Sequence, residues 1–295
     1  MLAVSLGSLT HWQEIEQVLN RTWGEDDYVQ HYWCNWVEHP EEGLTAVALW
    51  EGLPVGTCHV AYHENHTAWF HAMRIDPGYQ GRGIAGELAR FCIEQVRQKG
   101  YKRCLAAIDM DNIASQKATL KIGFELCYTY EALRKTVTTE DASDKAAVIE
   151  PWQAVPLCRV DEYLALLKPY LSYPRDKVMI AWELVEPSVA AIKDAICWGE
   201  EGEDKRCFFF RWQDYAYAAI YDFDEAAVVM SPVCSDLNKW QYALGSLEAQ
   251  FAAKGNQPFV IWLTADDPLY LPTIEAGYRV DDMYGYQVWQ LILEG

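Results

Sequence analysis

The sequence has no histidine beyond residue 71; all seven lie between residues 11 and 71. Chemistry that needs an imidazole, the side chain whose ordinary pKa sits near neutrality, is therefore confined to the start of the chain. Basic residues are also scarce, 24 Lys and Arg against 43 Asp and Glu, for a net charge of −19. A duplex-binding protein needs a basic footprint to displace counterions from phosphate, so no nucleic-acid partner is expected. The acid excess reads as a solvated surface, with a cationic substrate as the sharper alternative. The nine cysteines are scattered, odd in number and never spaced C-x-x-C. That pattern fits neither a zinc site nor a disulfide framework, so no metal is expected and a reducing cytoplasm is the simplest setting. The longest apolar run, Tyr215–Tyr221, has seven residues, whereas a membrane-spanning helix needs about 20. The amino terminus lacks the basic segment of a signal peptide, and no membrane partner is expected. There is no GxxxxGK[ST] phosphate loop.

What the chain does have is apolar content, 51% of 295 residues, enough for two cores at about 100–200 residues per domain. Periodicity predicts helices over 9–21 and 27–38 and strands over 44–50, 54–62 and 67–75. A helix over 85–99 follows, ended by Gly100, then a strand over 103–108. Asn112 caps a further helix that stops at Gly123, before a strand over 124–130. Strands and helices mixed in this way make the fold class α/β, an α+β mixed sheet. Residues 1–135 read as one domain, 136–155 as a linker, and 156–295 as a second domain. Three echoes connect the halves: Pro77 with Pro232, Lys99-Gly100 with Lys254-Gly255, and Gly123-Phe124 with Gly277-Tyr278. They suggest a duplicated fold whose second copy has lost the glycine turn, Ser235-Asp236-Leu237-Asn238 standing where the first has Gln80-Gly81-Arg82-Gly83. An aspartate there would repel phosphate.

That glycine turn, Gln80 to Gly86, carries the sharpest chemistry. Gly81 and Gly83 let backbone N–H groups approach an anion, the following helix adds its N-terminal partial charge, and Arg82 offers a full one. Gly81-x-Gly83-x-x-Gly86 matches the dinucleotide fingerprint, with Asp109 at the ribose position. Yet six residues including a proline separate it from its strand, and that strand contains histidine and arginine. A nicotinamide oxidoreductase is accordingly the weaker reading.

The stretch Ile75–Ala85 resembles the Q/R-x-x-G-x-G/A motif of the GNAT acyltransferase superfamily, and Asn112-Ile113-Ala114-Ser115 followed by Gly123-Phe124 resembles its second cofactor motif. The resemblance is best over 67–130 and extends over 1–135, with 156–295 as a degenerate GNAT-like copy. It implies acetyl-CoA or another acyl-CoA. Gln80, Gly81, Arg82, Gly83, Ile84 and Ala85 would cradle the pyrophosphate, Met73 and Ile75 would hydrogen-bond the pantetheine, and Asn112 and Ser115 would lie beside its sulfur end. Parts of Trp69–Ala85 also resemble amino-acid and small-amine N-acetyltransferases, the histidine N-acetyltransferase type among them.

The expected activity is acetyl transfer to the primary amine of a small metabolite in the cytoplasm, by a chain that could be a homodimer. A CoA-binding regulatory module without turnover is the alternative. The general base is expected at His71, on the strand leading to the cradle; strict alternation places it on the face of Met73 and Ile75. His59 on the neighbouring strand is the second candidate. A metal pair of His59 and His63 would need helical spacing, which a strand does not give. Thr119 stands where the superfamily commonly has the tyrosine that protonates the departing thiolate, so Tyr128 and Tyr130 are candidate acids. Tyr28, Tyr32 and Trp36 recur at helical spacing beside Glu25, Asp26 and Asp27, a stripe that reads as core or as a box for a cationic amine. Tryptophans 182, 198, 212, 240, 262 and 289 would serve packing or contacts of the second half.

Overall fold

The computed structural model describes all residues except 26, 64–65, 139–150, 155–159, 169–177, 181–182, 186–187, 191–206, 214, 223–226, 253–256 and 294–295. Asp26, most of the expected linker, Trp182, Trp198 and Lys254-Gly255 lie outside the described residues. Two compact units divide the chain: residues 1–108, 112–127 and 287–295 form the first, and 109–111 with 128–286 the second. The last nine residues thus belong to the first unit, a return of the chain that a continuous second domain over 156–295 does not contain.

In the first unit β1 (Leu2–Leu6), α1 (Trp12–Trp23) and α2 (Val29–Glu38) precede an antiparallel meander of β2 (Gly43–Trp50), β3 (Leu53–His63) and β4 (Thr67–Ile75). Then come α3 (Ile84–Gln98), β5 (Arg103–Asp109) parallel to β4, and α4 (Ile113–Lys121). Sheet order is β1-β2-β3-β4-β5, with the chain's final strand beyond β5. The sheet buries both faces. One packs Ala46, Val60, Ala68 and Phe70 against Leu88, Cys92 and Val96 of α3. The other packs Val47 and Ala72 against Ile15, Leu19, Val29 and Trp33 of α1 and α2. These helices form as the apolar spacing predicts, because each lays one stripe on the sheet.

The second unit has a comparable succession. β10 (Cys207–Trp212), β11 (Ala216–Asp222) and β12 (Ala227–Cys234) form an antiparallel meander, β12 is followed by α6 (Leu237–Ala252), and β13 (Gln257–Thr264) pairs parallel to β12. A short α7 (Tyr270–Glu275) leads to β14 (Arg279–Ile292). β6 (Glu125–Val137) pairs with β13, β7 (Gln153–Ala154) edges β10, and α5 (Val160–Leu167) and the hairpin β8–β9 (Val178–Ile180, Glu183–Val185) complete the described elements. Its core gathers Trp152, Trp212, Trp240, Leu244, Phe259, Ile261 and Tyr278.

Of the echoes, the glycine one is structural. Gly123 and Gly277 both have positive φ, +97° and +95°, and each precedes a buried aromatic. The proline echo fails: Pro77 opens a 3-10 turn after β4, whereas Pro232 sits inside β12. A different correspondence replaces it. In β4, Ala72 and Met73 together oppose the single residue Cys58, and Ala72 has φ +54°. In β12, Ser231 and Pro232 together oppose the single residue Ala218, and Ser231 has φ +45°. Each meander therefore ends in a bulge of the same form at the same strand.

Candidate active site

The bulge in β4 governs the site. One extra residue reverses the alternation of side chains beyond it. Phe70, Met73 and Ile75 face the α3 core, while Ala72 faces α1 and α2. His71 touches Trp36 and Tyr28, and Arg74 touches Asp27, all from α2 or the loop before it. His71 is thus not on the face of Met73 and Ile75, and the expectation from strict alternation is corrected. The β4–β5 register runs from Thr67–Arg103 to Phe70–Ala106. The parallel pairing ends there, and the bulged end of β4 lies beyond it.

At the end of β4, Asp76 accepts the Gly78 N–H at 2.8 Å and is gripped by Arg21 at 2.6 Å. Gln80 reaches back to the Ile75 carbonyl at 3.1 Å. The turn is thus held from below. Gly81 and Gly83 have φ +75° and +78°, and a Cβ on either would enter open space. The first recorded bond of α3 is Glu87 N–H to Gly83 C=O at 3.2 Å, and Gly83 caps the helix without a side chain. Amides at the start of such a helix have no intrahelical acceptor and point outward. An anion as extended as a pyrophosphate fits here on backbone alone. The Arg82 guanidinium lies 5.2 Å from the rings of both Trp50 and Tyr79 and 3.4 Å from the Gly78 carbonyl, bracing the turn.

His59 and His71 are register partners whose rings sit edge to face, 5.0 Å apart. Their surroundings separate their roles. His59 is 4% exposed, stacked under Trp36 at 4.3 Å, and its Nδ1 meets Thr45 Oγ1 at 2.9 Å. Its Nε2 abuts Gly43 so closely that a Cβ there would lie 2.6 Å away. Burial pushes its pKa down to about 3. That ring is a packed element. His71 has Nδ1 3.5 Å from Tyr28 Oη, while Nε2 is shut from solvent without a hydrogen-bond partner. Burial, then His59, His63 and Arg74, hold its pKa well below the ordinary value. At pH 7 it is a neutral imidazole with one uncommitted nitrogen.

Residues 10–124 match the Acetyltransferase (GNAT) family. That match takes in α1 through α4 of the first unit. Over 117 residues the chain is 27% identical to a histidine N-acetyltransferase of Xenopus tropicalis, a match covering 39% of this chain and only 36% of that protein. Two solved structures share the fold along nearly the whole chain. A GCN5-related N-acetyltransferase from Kribbella flavida has a TM-score of 0.66 at 16% identity, covering 99% of this chain and 72% of its own. Another from Anabaena variabilis has 0.67 at 13%, covering 100% and 73%. No helix among the described residues is long and apolar enough to cross a membrane.

Within the matched residues, Asn112 caps α4, its Oδ1 accepting the Ser115 N–H at 3.1 Å. The cap uses the Asn112 side chain and only the backbone of Ser115. Thr119 carries no phenol, and its carbonyl closes the turn by accepting from Phe124 N–H at 3.3 Å. Tyr128 and Tyr130 belong to the second unit, edge to face at 5.7 Å. Asp109 lies there too, hydrogen-bonded to Tyr286, with burial raising its pKa.

Of the acidic residues near the aromatic stripe, Asp27 is spent on Arg74, which it binds through Nε at 2.8 Å and Nη2 at 3.1 Å. The stripe itself forms, Trp36 meeting Tyr28 edge-on at 6.4 Å and stacking on Tyr32 at 6.0 Å. Sequence reasoning missed Arg74, Thr45 and Gly43. The histidine-bearing strands were the available signal, since each of the three lies on β4 or on β2, the strand paired to β3.

Proposed function

We propose that the protein is an acetyl-CoA-dependent N-acetyltransferase acting on the primary amine of a small metabolite. An amino acid is the favoured class, and histidine, named in the Xenopus relative, is the first acceptor to try. The observation that carries this reading is His71: a neutral imidazole with an uncommitted, buried Nε2 on the strand that runs into an uncapped helix start. Acetyl-CoA supplies the activated acetyl thioester when bound. The amides of Gly83, Ile84 and Ala85 would hold its pyrophosphate, and the backbone of Met73 and Ile75, where β4 leaves β5, would pair with the pantetheine.

His71 is too weak a base to deprotonate a free ammonium group. It suits the later proton, the one an amine nitrogen sheds once its lone pair is committed to a carbonyl carbon. Positioned proton transfer of this kind contributes typically 10²–10⁴-fold. Trp36, Tyr32 and Tyr28 offer ring faces beside it, and with Asp27 neutralised by Arg74 the box suits a flat or apolar side chain.

The test has two arms. Thermal stabilisation by acetyl-CoA, CoA and NAD(H) reads the cofactor; at 100 times the dissociation constant a ligand stabilises by about 2.7 kcal/mol. Thiol release against a panel of amino acids and small amines reads the acceptor. Acetyl-CoA protection with thiol release upholds the reading. No response to acetyl-CoA or CoA overturns it, and protection without turnover on any amine leaves a CoA-binding module in its place.

A further inference from the structure

Histidine has two neutral tautomers, and only one of them leaves Nε2 able to accept a proton. Which one a folded protein adopts is set by the partner of the other nitrogen. For His71 that partner is Tyr28, whose Oη lies 3.5 Å from Nδ1. Nε2 is out of solvent and has no hydrogen-bond partner. If the proton sat on Nε2, a buried N–H would be orphaned, the arrangement folded proteins most avoid. With the proton on Nδ1 the donor is satisfied by the phenol oxygen, and Nε2 is left as a bare lone pair.

Tyr28 is itself held in place from two sides. Its neighbour Asp27 has a carboxylate side chain 1% exposed that accepts from Arg74 twice and from Val29 N–H at 3.2 Å. The guanidinium of Arg74 lies over the rings of Tyr28, at 5.7 Å, and Trp23, at 5.0 Å. Arg74 can do this because the bulge at Ala72 puts it on the His71 side of β4. The start of α2 is thereby clamped to the strand that carries the base.

We infer that Tyr28 is a positioning residue that fixes His71 as the Nδ1–H tautomer, and that the Asp27–Arg74 pair seats Tyr28 for that task. This rests on His71 acting as the base in the proposed reaction. The experiment reads the tautomer directly, by 15N NMR of the His71 ring in the full chain without ligand, for the wild type, Tyr28→Phe and Asp27→Asn. The first variant keeps the ring that meets Trp36 and Arg74 and loses only the hydroxyl. The second keeps an oxygen for Val29 and loses the charge.

In the wild type, Nδ1 is expected to show the protonated and Nε2 the unprotonated shift. Tyr28→Phe moves the proton to Nε2, and Asp27→Asn gives a mixture. In the acetyl-transfer assay Tyr28→Phe then lowers kcat about 10-fold or more, within the range of acid–base contributions, with KM for acetyl-CoA unchanged. A wild type already protonated at Nε2, or a Tyr28→Phe ring with the wild-type pattern, overturns the inference. The expected shift pattern upholds it even where no amine is acetylated, an outcome that strikes the proposed function alone.

Discussion

Acid should loosen the first unit through His59, and the size of the effect follows from its burial. The ring is enclosed by Trp36, Thr45, Gly43 and His71 and has a pKa of about 3. An unfolded chain binds a proton at the same residue near pH 6.5. The stability that neutral His59 contributes is therefore complete above pH 6.5 and is lost as the pH falls toward 3. Each unit is worth about 1.4 kcal/mol, so at pH 5.0 the loss is about 2 kcal/mol, and about 4 kcal/mol once pH 3 is reached. Against a total of roughly 5–15 kcal/mol for a domain, that is a large fraction.

The variant to compare is His59→Gln, which retains a polar partner for Thr45. Urea melts followed by tryptophan fluorescence at pH 7.5 and 5.0 give two stabilities for each protein. Whatever the substitution costs at pH 7.5, the additional loss on acidification should be about 2 kcal/mol smaller in the variant. Removing His59 also removes one of the groups that depress His71, which widens the difference. Equal losses in the two proteins would refute the assignment of His59 as a buried neutral ring.

Three further outcomes are expected. Gly83→Glu places a charged side chain in the open space of the turn, at a φ of +78° that side chains rarely adopt; acetyl-CoA protection in a thermal melt disappears. Gly43→Ala drives a methyl to 2.6 Å from the His59 ring and 2.8 Å from the Val60 carbonyl, and because backbone yields little, stability falls by about 1–3 kcal/mol, read in the same urea melts. In the second unit, Lys135→Met removes the cation from the buried carboxylate of Glu248, whose two oxygens lie 2.9 and 3.0 Å from Nζ. Breaking such a pair costs about 3–5 kcal/mol, and the double change with Glu248→Leu should recover most of it.

The parts of the site that sequence could disclose are the local ones. Helix spacing, the Asn112 cap and the Gly81–Gly83 turn each depend on a few adjacent residues, and all three form where the sequence places them. The face presented by His71 depends instead on one extra residue opposite Cys58. Nothing in Phe70-His71-Ala72-Met73 announces it, since alanine has no preference for the φ it adopts there. The return of residues 287–295 to the first unit, beside β5 at 103–109, joins segments far apart in the chain and is invisible to any window along the sequence. Asp27 beside Tyr28 invites a reading as a cation site until Arg74, 47 residues on, is seen to consume it.

The two units differ most at the helix after the bulged strand, and there the reason is chemical. α3 starts at Gly83 with no side-chain cap, while α6 starts behind Asp236, whose Oδ1 accepts the Asn238 N–H at 3.0 Å. A carboxylate in that place satisfies an orphan amide and the helix dipole together, stabilising by about 1 kcal/mol. The same carboxylate shuts out any external anion. The first unit forgoes the side-chain cap, a choice that stability alone would not make. Asp236→Ala should therefore lower the stability of the second unit by about 1 kcal/mol in denaturant melts and leave the response to acetyl-CoA untouched. Should that variant lose acetyl-CoA protection as Gly83→Glu is expected to, the anion site would have to be assigned to the second unit, and the contrast between the two helix starts would carry no functional meaning.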